Sequence, residues 1–296
     1  MSHRTSSEGF DWEIALAAQT ACVLEVDAPK PGNVNRYYDF DDTTLEDFHL
    51  SALAIGQPFA NIRVQGVGKT VLESVRAVRR NVSTNTNLGI LLLLAPLGLA
   101  WSRIRDGHNV IPVHELPALW KKEIRWVLDN LNIQDTAYVY QAIREASPGG
   151  MGVVDEYDVY GQAPSVTLLE AMRPAAERDM IAQQYVDGFS LVLGQGYEMF
   201  ASALQKGLSM PQAINETFIY LLSLHTDTLI SRKIGKERSM EVQQMARKVI
   251  EGKMSVKDFD QVLRSEKHVL NPGTTADLIT AVVFVYLMER SLTSAS

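Results

Sequence analysis

The chain has 296 residues, 46% of them apolar and 21% charged, with a formal net charge of −7 from 28 basic and 35 acidic side chains. This is the composition of an ordinary globular protein with enough chain for a substantial core, and the acidic balance excludes the broad basic footprint of a nucleic-acid binder. A lone cysteine, Cys22, excludes an internal disulfide and argues against a cysteine metal site. Met1 to Phe10 is polar, without the apolar core of a secretion signal. The longest apolar run, Leu88 to Trp101, is too short to span a bilayer. A cytoplasmic protein that meets neither membrane nor nucleic acid is expected, and a homodimer is compatible with these features.

Helical periodicity recurs along the chain. Trp12, Ile14, Leu16, Ala17, Val23 and Leu24 predict a first amphipathic helix; Leu45, Phe48, Ala52, Leu53 and Ile55 predict a second. Further helices are predicted over 67–80, 88–106, 113–130, 134–145, 165–172, 175–204, 211–233, 239–251, 256–267 and 275–290. Thr43-x-x-Glu46, Ser209-x-x-Gln212, Ser255-x-x-Asp258 and Thr274-x-x-Asp277 read as capping boxes at helix starts. Asn61-Ile62-Arg63-Val64-Gln65 is the best strand candidate. The Gly- and Pro-rich stretch 146–164 reads as a long loop, a kind of segment that is often functional. The expected fold is all-α: a multi-helix bundle with buried apolar central helices, forming a single domain over 1–296 with 1–10 as a flexible N-terminus.

Familiar motifs are excluded in turn. Gly66-Val67-Gly68-Lys69-Thr70 imitates the end of a phosphate-binding P-loop, but Arg63 stands where the first glycine belongs and no βαβ pattern flanks it. The six histidines show no metal spacing, and His225, in an apolar run, reads as a hydrogen-bonded core histidine. What remains is a set of polar clusters at the edges of apolar helices. Ala28-Pro29-Lys30-Pro31-Gly32-Asn33-Val34-Asn35-Arg36 is a stiff loop that presents Lys30, Asn33 and Arg36. Glu46 and Asp47 open a helix, with Ser51 four residues beyond Asp47 on the same face. Asn85-Thr86-Asn87 precedes a buried run, where unpaired helix N–H groups suit an anion. Asp227-Thr228 is followed by Arg232 and Lys233, and Asn271 leads into Thr274, Thr275 and Asp277. For Asp277, a helix cap explains the pattern as well as a catalytic role does.

The order Lys30-Pro31-Gly32, Glu46-Asp47 with Ser51, Asn85-Thr86-Asn87-Leu88-Gly89, Asp227-Thr228 with Arg232, and Pro272-Gly273-Thr274-Thr275-Ala276-Asp277-Leu278 resembles the triphosphoribosyl-dephospho-CoA synthases over about residues 15–290. The resemblance implies an all-helical fold. It also implies transfer of the triphosphoribosyl part of ATP to the ribose of 3′-dephospho-CoA, with loss of adenine. Breaking the C1–N9 bond builds oxocarbenium character, and a carboxylate is needed for the proton of the attacking hydroxyl. The triphosphate implies Mg²⁺, cations and helix N-termini. On this basis Asp227 and Asp277, with Glu46 and Asp47 as the other candidates, are expected to serve as Mg²⁺ ligands or catalytic base. Lys30, Arg232 and Lys233 are expected to hold phosphates, with Asn33, Arg36, Ser51, Asn85, Thr86, Asn87, Thr228, Asn271, Thr274 and Thr275 as further substrate-binding groups.

The chain also departs from the family pattern. Asn87-Leu88 stands where a His-Lys pair is expected, Leu45-Glu46-Asp47-Phe48 where a His-Lys-Asp-Met type run is expected, and Arg232-Lys233-Ile234-Gly235 where Arg-Gly-Gly follows. The carboxylates are kept while part of the cationic set changes, which implies a divergent branch whose acceptor or donor can differ. Alternatives from other classes are a metal-dependent N-glycoside hydrolase or phosphohydrolase, ribosyl transfer in the synthesis of a methanopterin-like one-carbon cofactor, and a non-catalytic nucleotide-binding protein.

Overall fold

The computed structural model describes residues 11–108, 111–147, 158, 159, 161 and 164–293. The expected flexible segment 1–10 and most of the loop 146–164 lie outside the described residues. The helices are α1 (Trp12–Asp27), α2 (Leu45–Ala54), α3 (Gly56–Ala60), α4 (Ile62–Arg79), α5 (Leu88–Gly107), α6 (Leu116–Asp129), α7 (Ile133–Ala146) and α8 (Leu168–Met172). They continue with α9 (Met180–Asp187), α10 (Tyr197–Gln205), α11 (Met210–Leu224), α12 (Thr228–Ile234), α13 (Lys236–Ile250), α14 (Val256–Arg264) and α15 (Gly273–Thr293). Among the described residues the extended pairing is limited to one isolated bridge, Asn35 with Tyr38. The all-α expectation holds. The strand candidate 61–65 is helical instead, because Ile62 is buried against the core while Arg63 reaches back to Asp11 at 2.8 Å.

Three elements pack at the centre. Helix α15 lies against α1 and α5, and its residues from Leu278 to Val285 are almost wholly buried. Such a helix is apolar on every side, so its stability comes from burial rather than from an amphipathic stripe. Helix α5 is long and apolar enough to qualify as a candidate membrane span by length and composition, yet 78% of that window is buried inside the fold. Pro96 inside α5 has no N–H for the carbonyl of Leu92. The Tyr185 hydroxyl, on α9, donates to that carbonyl at 2.7 Å and so satisfies it in the core.

The Gly66-Val67-Gly68 segment is structural. Gly66, at φ 71°, breaks α4 into two pieces, and the Gly68 N–H donates to Asp135 Oδ1 at 2.9 Å. A methyl group on Gly68 would stand 2.5 Å from the Asp135 Cα, so the glycine is what lets α4 and α7 approach.

Two predicted helices are broken. Segment 175–204 divides where Gly188 and Phe189 take left-handed conformations, at φ 72° and φ 60°. Segment 211–233 divides at His225 to Asp227, and Asp227 starts α12 as its cap. His225 is half-buried with Nε2 lacking a hydrogen-bond partner, so it is not the hydrogen-bonded core histidine expected. The box at Ser209 forms, while Ser255 caps its helix through the Asp258 N–H without the return bond to its own backbone, its hydroxyl donating to Asp258 Oδ2 instead. The box expected at Thr43-x-x-Glu46 is one residue later, with Thr44 capping and Asp47 bonding back. Thr43 is buried, which leaves the hydroxyl of Thr44 at the helix mouth.

Replacing Tyr185 by Phe leaves the Leu92 carbonyl buried and unpaired. A loss of about 1–3 kcal/mol in unfolding free energy is expected by chemical denaturation, with helical content unchanged.

Candidate functional site

Four helix starts meet around one cavity of about 750 Å³. Its wall includes Leu88 and Gly89 from α5, Ile181 and Ala182 from α9, Thr228 and Leu229 from α12, and Gly273 and Thr274 from α15. Helix starts carry N–H groups with no partner inside the helix and a partial positive charge, which favours negatively charged partners; those of α9 and α12 are taken by the carboxylates of Asp179 and Asp227.

The starts of α12 and α15 are tied together by Asp227, which is fully buried. Its Oδ1 accepts from the N–H groups of Leu229 and Ile230 at 2.9 and 3.1 Å. Its Oδ2 accepts from the N–H and hydroxyl of Thr275, both at 2.8 Å. Burial pushes its pKa up while these four hydrogen bonds oppose the shift. Thr274 also serves α12: its Oγ1 accepts from the Leu229 N–H at 3.1 Å and from the Thr228 hydroxyl at 3.2 Å.

This arrangement decides what Asp277 does. The Thr274-x-x-Asp277 box does not form, because Thr274 is turned to the neighbouring helix. Asp277 lines the cavity and, unlike Asp227, accepts no hydrogen bond among the described residues. Its Oδ2 lies over the first turn of α5, so close that a methyl group on Gly89 would be 2.0 Å away. Its pKa is raised well above the ordinary 3.8, first by burial and then by the charges of Glu25, Asp227 and Asp179, with Arg232 pulling the other way.

The rest of the wall supplies donors and one apolar side. Arg232 Nη1 is 3.5 Å from Asp179 Oδ2, and its buried Nε has no partner. Asp179 Oδ1 caps α9 through Ile181 and Ala182, at 2.8 and 3.2 Å. Arg178 and Lys236 stand exposed at the rim. Asn87 Nδ2 and Asn271 Oδ1 are buried without partners, while Asn85 Oδ1 accepts from the Leu88 N–H at 3.2 Å. Val139, Tyr140, Ile143, Leu168 and Met172 form the apolar side. A mostly apolar cleft with a few convergent polar groups is the usual build of a small-molecule site.

Of the residues expected from sequence, the cavity gathers Asn33, Asn85, Thr86, Asn87, Thr228, Arg232, Asn271, Thr274 and Asp277. Lys30, Arg36, Glu46, Asp47, Ser51, Asp227, Lys233 and Thr275 are not in its wall. Lys30 is ion-paired to Glu25 at 3.0 Å, and Arg36 to Asp27 at 2.9 Å. Glu46 is exposed, and Asp47 is spent on the Thr44 cap. Ser51 sits behind the wall, 2.6 Å from the Thr86 hydroxyl, and Lys233 lines a separate small pocket with Asp42, Lys267 and His268.

Sequence reasoning missed Glu25, Arg178, Asp179 and Lys236. Glu25 had a signal, because it continues the buried stripe of α1 through Ile14, Ala18 and Ala21. Asp179 had one too, as an acid directly ahead of an apolar helix. Among the described residues no cluster of three His, Cys, Asp or Glu side chains is placed to hold a metal ion.

The fold and site define an all-helical protein with a cavity of about 750 Å³, ringed by helix starts and polar side chains at one end and apolar at the other. Residues 11–295 match the family model described as ATP:dephospho-CoA triphosphoribosyl transferase. A Citrobacter koseri protein described as a probable 2-(5''-triphosphoribosyl)-3'-dephosphocoenzyme-A synthase is 26% identical over 92% of this chain and 89% of its own length. The crystal structure of an Archaeoglobus fulgidus protein, described as a triphosphoribosyl-dephospho-CoA synthase, superimposes with a TM-score of 0.63 and 25% identity over 81% of this chain and 97% of its own. The chain belongs to the ATP:dephospho-CoA triphosphoribosyl transferase family.

Substitution of Asp277 and of Asp227 is expected to change stability in opposite directions. Because its folded pKa is raised, ionised Asp277 lowers stability as pH rises from its ordinary 3.8 through the folded value, and contributes no such penalty where it is protonated in both states. Asp277→Asn is therefore expected to melt above the wild type at pH 7, the gap closing as pH falls toward 4. Asp227→Ala is expected to lose at least about 2 kcal/mol, since a cap and two buried bonds to Thr275 go with it. Thermal melts across pH distinguish the two.

Proposed function

We propose that the chain transfers the triphosphoribosyl group of ATP to a ribose hydroxyl of 3′-dephospho-CoA, releasing adenine. The observation that carries this reading is Asp277: a carboxylate with no hydrogen bond, facing a cavity ringed by helix starts. Family membership sets the reaction class, and the donor set of the cavity is suited to it.

The triphosphate would lie at the start of α5, with Arg232 and the Asn87 amide as side-chain donors and the exposed Arg178 and Lys236 at the rim. The purine would face Val139, Tyr140 and Ile143. As the C1′–N9 bond breaks, its electron pair leaves with adenine, and positive charge develops on the ribose ring. The acceptor hydroxyl attacks C1′ and passes its proton to Asp277, and the departing adenine takes up a proton from solvent. Burial and neighbouring carboxylates make Asp277 a stronger proton acceptor than an ordinary aspartate.

Mg²⁺ is compatible with this donor set but not as a metal caged by protein ligands. Asp179 Oδ2 is the carboxylate oxygen beside Arg232, and Mg²⁺ commonly takes one or two carboxylates with water and phosphate oxygens. Held there, Mg²⁺ would supply charge neutralisation for the triphosphate.

The test is adenine release from ATP by purified protein. Release that requires added dephospho-CoA is expected; release without any acceptor would support hydrolysis instead. Asp277→Asn should lower turnover by roughly 10²-fold or more, in line with loss of a general base, while keeping its fold. Gly89→Ala, which displaces the Asp277 carboxylate without changing its charge, should lower turnover by about tenfold or more.

A further inference from the structure

Lys30 belongs to the Lys30-Pro31-Gly32 segment yet is 1% exposed and unreachable by a phosphate. Its ammonium lies 3.0 Å from Glu25 Oε1, donates to the Ala28 carbonyl at 3.2 Å, and donates also to the Glu25 carbonyl. An ammonium has three donors, so none is left for a ligand. The loop that carries it is bolted to α14. The Gly32 N–H donates to Asp260 Oδ1 at 2.8 Å, and Arg264 donates to the Asn33 carbonyl at 2.8 Å while pairing with Asp260 at 2.9 Å. Gly32 holds φ +74°, and a methyl group there would stand 2.8 Å from Leu263 Cβ, so the loop has little freedom to shift.

The product of this anchoring is one oriented carboxylate. Glu25 is 4% exposed, and what remains of its surface lines the cavity. Lys30 holds Oε1, while Oε2 accepts no hydrogen bond among the described residues. Glu25 is near enough to Asp277 for their charges to interact. The pair with Lys30 is neutral overall, which makes Glu25 a weak ligand for a cation and leaves it a directional acceptor for a hydroxyl group.

We propose that Glu25 Oε2 accepts a hydrogen bond from a hydroxyl of the ribose being transferred, and that Lys30 is the positioning residue that aims it. This rests on the proposed ribosyl transfer from ATP. A hydroxyl bond of this kind tightens as the ring becomes oxocarbenium-like, so it selects for an intact ribose and contributes to the rate.

The experiment compares ATP with 2′-deoxy-ATP and 3′-deoxy-ATP for wild type, Glu25→Gln, Lys30→Met and the double variant, which leaves no unpaired buried charge. Wild type is expected to prefer ATP over one of the two deoxynucleotides by about tenfold or more in kcat/KM, the scale of a lost bond to a charged group. Glu25→Gln, Lys30→Met and the double variant should each shrink that preference to near unity, and the double should do no worse than either single. A purely structural pair would lower stability or turnover while leaving the preference intact, and that result overturns the proposal, as does a wild type with no preference. Calorimetric binding of the same three nucleotides separates the two readings. If no adenine is released but the binding preference exists and disappears in Glu25→Gln, the ribose contact stands and the transferase reading fails. A preference retained by any folded variant removes the contact whatever the activity.

Discussion

The closest constraint in the site is the contact between Asp277 and Gly89. Two central helices, α5 and α15, begin side by side, and the carboxylate of one lies on the first turn of the other with no room for a side chain between them. A half-buried carboxylate with no hydrogen bond among the described residues is costly, and desolvation with neighbouring acids pushes its pKa up. The core supports it: α15 is packed against α1 and α5 through residues that are almost wholly buried, so the start of the helix cannot relax away. Stability lost locally at this carboxylate appears as raised proton affinity, the property the proposed base requires.

Two aspartates at neighbouring helix starts divide the work. Asp227 has a hydrogen bond for every near lone pair and locks α12 to Thr275 at the start of α15. Thr274 completes the lock by turning to α12 rather than to its own helix. Asp277 is left free by the same event. The rigidity of the Asp277 carboxylate thus comes from its neighbours' caps, and the four capped helix starts form the wall of the cavity.

Much of the fold was legible in the sequence because it depends on local rules. Helical period and capping signatures at Ser209 and Ser255 act within a few residues, and both serines cap their helices, Ser209 as a full box. The errors arose where local rules were overridden. Apolar periodicity ran through His225 to Asp227, but Asp227 starts a new helix, and periodicity cannot see a break that keeps both faces apolar. Thr274-x-x-Asp277 had the spacing of a box, but the competing donor was the Leu229 N–H, 45 residues away in sequence. Lys30 had the charge for a phosphate and instead completes a buried pair with Glu25, a residue that reads as an ordinary part of an amphipathic helix.

The sequence by itself determined the all-helical class, the family and the polar segments that surround the cavity, since these follow from periodicity, capping chemistry and short motifs read in order. Only the tertiary structure decided which members of each segment face the ligand. Asp277 is in the wall while Asp227 is a cap, and Glu25 is in the wall while Lys30 is behind it. The reason is that a hydrogen-bonding group is consumed by whichever partner the packing brings nearest. For Asp227, Thr274 and Lys30 that partner was another part of the chain, and for Asp277 there was none.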